Sequence, residues 1–159
     1  MTVAALDQSI VIDGRYQLLR RLGGTRAAPL FVASDLQRGS VVCVRLWPFT
    51  AAWAGRAAPP LLAPMLRYRR EGPLLPYEFG VDDDIAYLVR AYVPGTSVQA
   101  QIETPHRLNH LAAVSLVRRV GAALLIAREF GFATPEVHPS HVLLGADDTV
   151  HMCGFDAMA

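Results

Sequence analysis

A chain of 159 residues has the length of one domain and can bury a core without disulfides or metal. Its hydrophobic share is 52% and its charged share 18%, against about 25% in ordinary domains, which excludes intrinsic disorder. A net charge of +1 leaves no electrostatic footprint for nucleic acid, and all fifteen basic residues are arginine, with no lysine anywhere.

Met1–Asp7 carries no basic stretch and no long apolar run, so no signal peptide is expected. No stretch is expected to reach the ~18 apolar residues of a membrane span, and the expected location is cytoplasmic. Tyr16–Leu22 runs into Gly23-Gly24, Leu30–Ala33 follows Pro29, and Val41–Trp47 is the strongest β-branched run, beyond the turn Gln37-Arg38-Gly39-Ser40. These three predict an antiparallel meander. Pro48, Pro59, Pro60 and Pro64 then break the pattern and leave room for at most a short helix around 51–58. Leu74–Phe79 and Ile85–Tyr92 predict two more strands, joined by the turn residues 80–84.

After Pro94-Gly95 the period changes. From Asn109 to Phe130 apolar residues recur at helical spacing (Leu111, Val114, Val117, Val120, Leu124, Ala127), and Gly131 stands where a helix stops. Val120–Ala127 is apolar on nearly every face, which predicts burial all round. Val142–Leu144 and Thr149–Cys153 flank Gly145-Ala146-Asp147-Asp148 and predict a hairpin. Cys43 and Cys153 lie in apolar runs and read as small buried hydrophobes of a reducing compartment. Five strands, a long buried helix and a hairpin make the class α+β.

This order and its wording resemble the eukaryotic-like serine/threonine protein kinases of bacteria. DGRYQLLRRLGG at 13–24 is similar to the first strand of the small lobe, and FVASDLQRGSVVCVRLW at 31–47 to the second and third. YEFGVDDDIAYLVRAYVPGTSV at 77–98 is similar to the fourth and fifth strands, the hinge and the next helix. GFATPEVHPSHVLLGADDTVHMCGFDAMA at 131–159 is similar to the catalytic loop through the metal-binding motif. The resemblance implies one kinase-like domain: a small-lobe region with a five-stranded antiparallel sheet over 1–93, and over 94–159 a truncated large lobe without its later helices.

It also implies a test of each chemical position, because phosphoryl transfer needs a backbone cradle for phosphates, a Lys–acid pair, a catalytic Asp and an Asn–Asp pair for magnesium. The glycine loop falls on Gly23-x-Thr25-x-x-Ala28 and keeps only its first glycine, with Pro29 removing an N–H nearby. The lysine position falls on Arg45, read either as an anion-binding group or as an exposed arginine at a strand end. The helix that supplies the acidic partner falls in 48–66, which has no Asp or Glu. His-Arg-Asp becomes Thr134-Pro135-Glu136, the following lysine becomes His138, and the magnesium Asn becomes His141. Asp-Phe-Gly becomes Gly154-Phe155-Asp156, and Arg90 stands at the back of the adenine pocket.

The degenerate positions Arg45, Glu136, His141 and Gly154 imply no catalytic residue, no cofactor and no metal. The pairs His106/His110 and His138/His141 are interrupted by Pro105 and Pro139 and read as loop histidines. Ser115 and Ser140 have no nucleophile context, and Asp82-Asp83-Asp84 reads as a solvated turn. The expectation is a catalytically inactive, pseudokinase-like scaffold that binds protein. The alternatives are a degenerate nucleotide sensor with weak ATP binding and an unrelated α+β interaction module. The expected contact is an exposed apolar face of helix 109–130 with the tail, through Val120, Leu124, Leu125, Ala127, Phe155 and Met158. Its partner would be another polypeptide, a second copy, or the cytoplasmic side of a membrane complex.

Overall fold

The computed structural model describes residues 10–49, 72–104, 108–129, 137–145 and 148–155. The expected short helix at 51–58 and the helix stop at Gly131 lie outside them. The described residues form two compact units, 10–49 with 76–92 and 72–75 with 93–155. The segment before Pro76 thus groups with the second unit, unlike the 1–93 and 94–159 division of the sequence.

The first unit is one antiparallel sheet of six strands rather than five. The strands are β1 (Val11–Ile12), β2 (Tyr16–Gly24), β3 (Pro29–Asp35), β4 (Ser40–Pro48), β6 (Pro76–Asp82) and β7 (Ile85–Ala91), in the order β1-β2-β3-β4-β7-β6. The extra strand, β1, is a two-residue piece set against Tyr16 and Gln17. The strand expected from Leu74 begins at Pro76.

Period-two alternation puts Tyr16, Leu18, Phe31, Ala33, Val42, Val44, Leu46, Tyr87 and Val89 into one core, closed by Ile12 and Ile85. The alternation turns Leu19 outward, and register shifts farther along β2 leave Leu22 facing solvent as well. One buried carboxylate interrupts this apolar unit. Asp35, at the end of β3, accepts two bonds from Arg15, Nε to Oδ1 at 2.9 Å and Nη2 to Oδ2 at 2.7 Å. The backbone N–H groups of Gln37 and Arg38 also donate to its Oδ1. Arg15 reaches Glu78 Oε1 with its remaining nitrogen at 2.9 Å. Burial raises the Tyr16 and Tyr87 phenols, and Tyr87 donates to Asp13.

In the second unit, β5 (Gly72–Pro73), β8 (Gly95–Ser97), β9 (Val142–Gly145) and β10 (Val150–Met152) form a sheet in the order β5-β10-β9-β8. The expected hairpin is β9–β10, with Val142 opposite Met152. β5 pairs parallel to β10, and Leu74 N donates to Met152 O at 2.7 Å. Helix α1 (Val98–Glu103) is capped by Ser97, whose Oγ accepts from Ala100 N. Helix α2 (His110–Glu129) starts from Asn109, whose side chain accepts from Ala112 N at 2.8 Å.

The expectation of burial all round Val120–Ala127 is corrected: of these residues only Ala123 and Ala127 are buried. α2 lies against β5 and β10, and the narrow sheet covers a single stripe, with Leu116 and Val120 packed on Val98, Val142 and Val150. Leu111, Val114, Val117 and Leu125 stay exposed, Leu111 at 79% and Leu125 at 62%. By length and composition α2 is long and apolar enough to cross a membrane, although Arg118 and Arg119 interrupt its apolar run.

Candidate functional site

In the first unit, the turn between β2 and β3 occupies the place that the resemblance gives to a phosphate cradle. Gly24 has φ +79°, and a Cβ there would collide with the Ala28 carbonyl oxygen and stand 2.9 Å from Leu30 N. The turn therefore folds a carbonyl inward over a glycine. Its donors come from side chains: Arg21 donates to the carbonyls of Gly23, Gly24 and Thr25 at 3.3, 3.1 and 3.2 Å. Ala28 N is taken by Thr25 Oγ1 at 3.0 Å.

Arg45 is not an exposed strand-end arginine. It is half-buried in β4, opposite Leu30 and Leu88, and its Nη1 donates to Ala28 O at 3.3 Å. Arg90, opposite Cys43 and Pro76, is only 4% exposed, and its Nη1 donates to the neighbouring Ala91 carbonyl at 3.4 Å.

In the second unit the β9–β10 hairpin brings its two flanks together. His141 closes a single 3₁₀ turn, Pro139–His141, capped by His138, whose Nδ1 accepts from Ser140 N. Gly154 follows β10. Cys153 N donates to His141 O at 2.7 Å, and the Cys153 thiol donates to the same carbonyl at 3.2 Å. Gly154 has φ +100°, and a Cβ built on it would lie 3.0 Å from His141 Nδ1. The imidazole thus packs against the bare Cα where a carboxylate side chain would otherwise start.

His141 and Gly154 are therefore brought together as the resemblance implies, with an imidazole and a hydrogen atom in place of an amide and a carboxylate. Among the described residues no group of three or more His, Cys, Asp or Glu side chains can hold a metal ion. Cys43 and Cys153 are both buried.

Glu136, Thr134, Pro135, Asp156 and Met158 lie outside the described residues. Of the expected contact residues, Leu125 is exposed, Val120, Leu124 and Phe155 are half-buried, and Ala127 is 2% exposed. Ala127 is thus removed from the expected surface, because it is buried. Sequence reasoning missed the carbonyl-binding role of Arg21. The only signal was an arginine two residues before a Gly-Gly pair.

No family model matches the chain. In sequence it is similar to the serine/threonine-protein kinase PrkC of Bacillus subtilis, 25% identical over 143 residues, covering 84% of this chain and 21% of the relative. It is also similar to PknE and PknD of Mycobacterium tuberculosis, each 26% identical over 156 residues and 89% of this chain, covering 26% and 22% of those proteins. The chain thus spans about a quarter of the length of these curated relatives. Its structure is similar to the Mycobacterium tuberculosis PknI kinase domain, with TM-score 0.76 at 18% identity, covering 98% of this chain and 64% of that one. A cysteine-to-alanine mutant of that domain gives TM-score 0.73 at 19% identity, with 95% and 62% covered. The fold is protein-kinase-like, and the chain is related in sequence to bacterial serine/threonine kinases.

Proposed function

We propose that this kinase-related chain is catalytically inactive and works by binding another polypeptide, as a pseudokinase-like scaffold on the cytoplasmic side. The observation that carries the reading is the packing of His141 against Gly154. Magnesium in phosphoryl transfer takes oxygen ligands, and the neutralisation it supplies is central to the rate. An imidazole packed on a glycine offers neither a carboxylate nor room for one. Arg45 supports the same reading, since it bonds a backbone carbonyl and has a planar guanidinium where a compact ammonium is required. The exposed side of α2, with Leu111, Val114, Val117 and Leu125, is the surface offered to a partner.

Thermal denaturation with ATP and magnesium or manganese up to millimolar concentration is expected to move the midpoint by less than about 1 °C, the mass-action limit for a ligand that does not saturate its site. Metal-dependent autophosphorylation that disappears in Glu136→Ala overturns the reading.

For the surface, Leu125→Glu is expected to abolish association with a partner or a second copy while leaving the melting temperature within about 2 °C, because that side chain is exposed. Sedimentation and co-purification check it. A wild-type chain that is monomeric at micromolar concentration and captures nothing that Leu125→Glu loses contradicts the proposed surface.

A further inference from the structure

We infer that the β2–β3 turn is an internally liganded latch, held shut by Arg45 and Arg21 in the resting protein. The inference rests on the inactive reading, to which Arg45 is common, and adds how the turn is kept in place. A cradle for an anion points backbone N–H groups at it and leaves them available. Here the polarity is reversed. The Ala28 carbonyl is folded over Gly24, so closely that only a glycine fits beneath it, and Arg45 reaches from β4 to bond it. Arg21, from β2, gathers three consecutive carbonyls with two of its nitrogens. Thr25 Oγ1 takes the Ala28 N–H from within.

A guanidinium carries five donors in a fixed fork and no acceptor, which suits it to several carbonyls at once. Bonds from a charged donor are stronger than bonds between neutral groups, so two arginines can order a short exposed turn that would otherwise fray. One bond that an anion would supply to such a turn, acceptance from the Ala28 N–H, is supplied by Thr25 Oγ1.

Hydrogen exchange of the full chain tests the latch. Arg45→Met keeps the aliphatic stem and removes the donors, and Arg21→Met does the same on the exposed side. Each is expected to speed amide exchange in residues 24–28 about tenfold while the β9–β10 hairpin exchanges as in the wild type. Exchange in 24–28 within twofold of wild type in both variants overturns the latch. Should Arg45→Met fail to fold, Arg21→Met, altered only on an exposed side chain, carries the same decision. Adding ATP with magnesium to the wild-type chain separates the two readings. Unchanged exchange in 24–28 supports the closed turn. Protection there shows nucleotide held at the turn and overturns the shut resting state, even if the arginine variants behave as expected. Catalytic inactivity is overturned by metal-dependent autophosphorylation alone.

Discussion

Asparagine in place of Asp35 is expected to cost the first unit about 3 kcal/mol, the scale for removing one partner of a buried, hydrogen-bonded charge pair. Asp35 is fully buried and accepts both arms of the Arg15 fork. An asparagine keeps the shape but presents an NH₂ to a guanidinium, so one of the two bonds becomes a donor–donor clash. Glu78 remains as a counter-charge at the rim, which keeps the loss below that of a fully stranded cation.

The same network has an acid signature. The bond from Arg15 holds the Asp35 carboxyl at about 2, below its ordinary 3.8. A carboxylate with a depressed folded-state pKa stabilises fully above its unfolded value and loses that contribution as pH falls through the folded one. This group is therefore silent between pH 5 and 8, and its contribution drains between about pH 4 and pH 2. Thermal denaturation against pH checks both parts. Asp35→Asn is expected to start lower at neutral pH and to lack this part of the acid limb. Parallel curves for the two proteins exclude the assignment.

Restoring a carboxylate at the other unit's hairpin is expected to harm the protein without rescuing chemistry. Gly154→Asp puts a side chain on backbone at φ +100°, a conformation that costs an L-residue about 1–3 kcal/mol, and seats its Cβ 3.0 Å from His141 Nδ1. His141→Asn alongside it relieves the crowding and leaves the backbone cost in place. Both variants are expected to melt several degrees lower and to show no magnesium or manganese binding by titration calorimetry. Wild-type stability with metal binding in the double variant contradicts the claim that this hairpin flank has lost its metal geometry.

Much of the fold was legible because its main strands carry their own punctuation. Val41–Trp47 is β-branched and bounded by a turn, and Asp83, at φ +51°, takes the left-handed position that the run of aspartates offered. β5 was not legible. Gly72 and Pro73 have no strand preference, and their place in a sheet is decided by β10, far along the chain. An exposed apolar face on α2 was expected, but how much of the helix its own unit covers was hidden for a related reason. Its composition is apolar around the axis, but how much is covered depends on the width of the sheet beneath it. The meeting of His141 with Gly154 was implied only by the resemblance, which put both at metal positions, while just beyond the Val142–Met152 pair it is Cys153 N that bonds His141 O. The bonds of Arg21 and Arg45 were not legible, because a carbonyl partner leaves no mark in sequence. The turn after Asp35 announced itself through Gln37-Arg38-Gly39-Ser40, yet the bond from Arg15, twenty residues before Asp35, did not.

The parallel strand β5 also sets how the chain can be divided. The path enters the second unit at Gly72–Leu75, returns to the first at Pro76–Tyr92, and only then enters the second for good. A single cut after Tyr92 therefore leaves the distal fragment with a three-stranded sheet. The missing strand, which closes one edge and carries the Leu74–Met152 bond, stays behind on the other piece. Contacts that span this much sequence carry a loop-closure cost and form late in folding. Nascent β9 and β10 emerge long after β5 and must find it again, so maturation of the second unit waits on nearly the whole described chain.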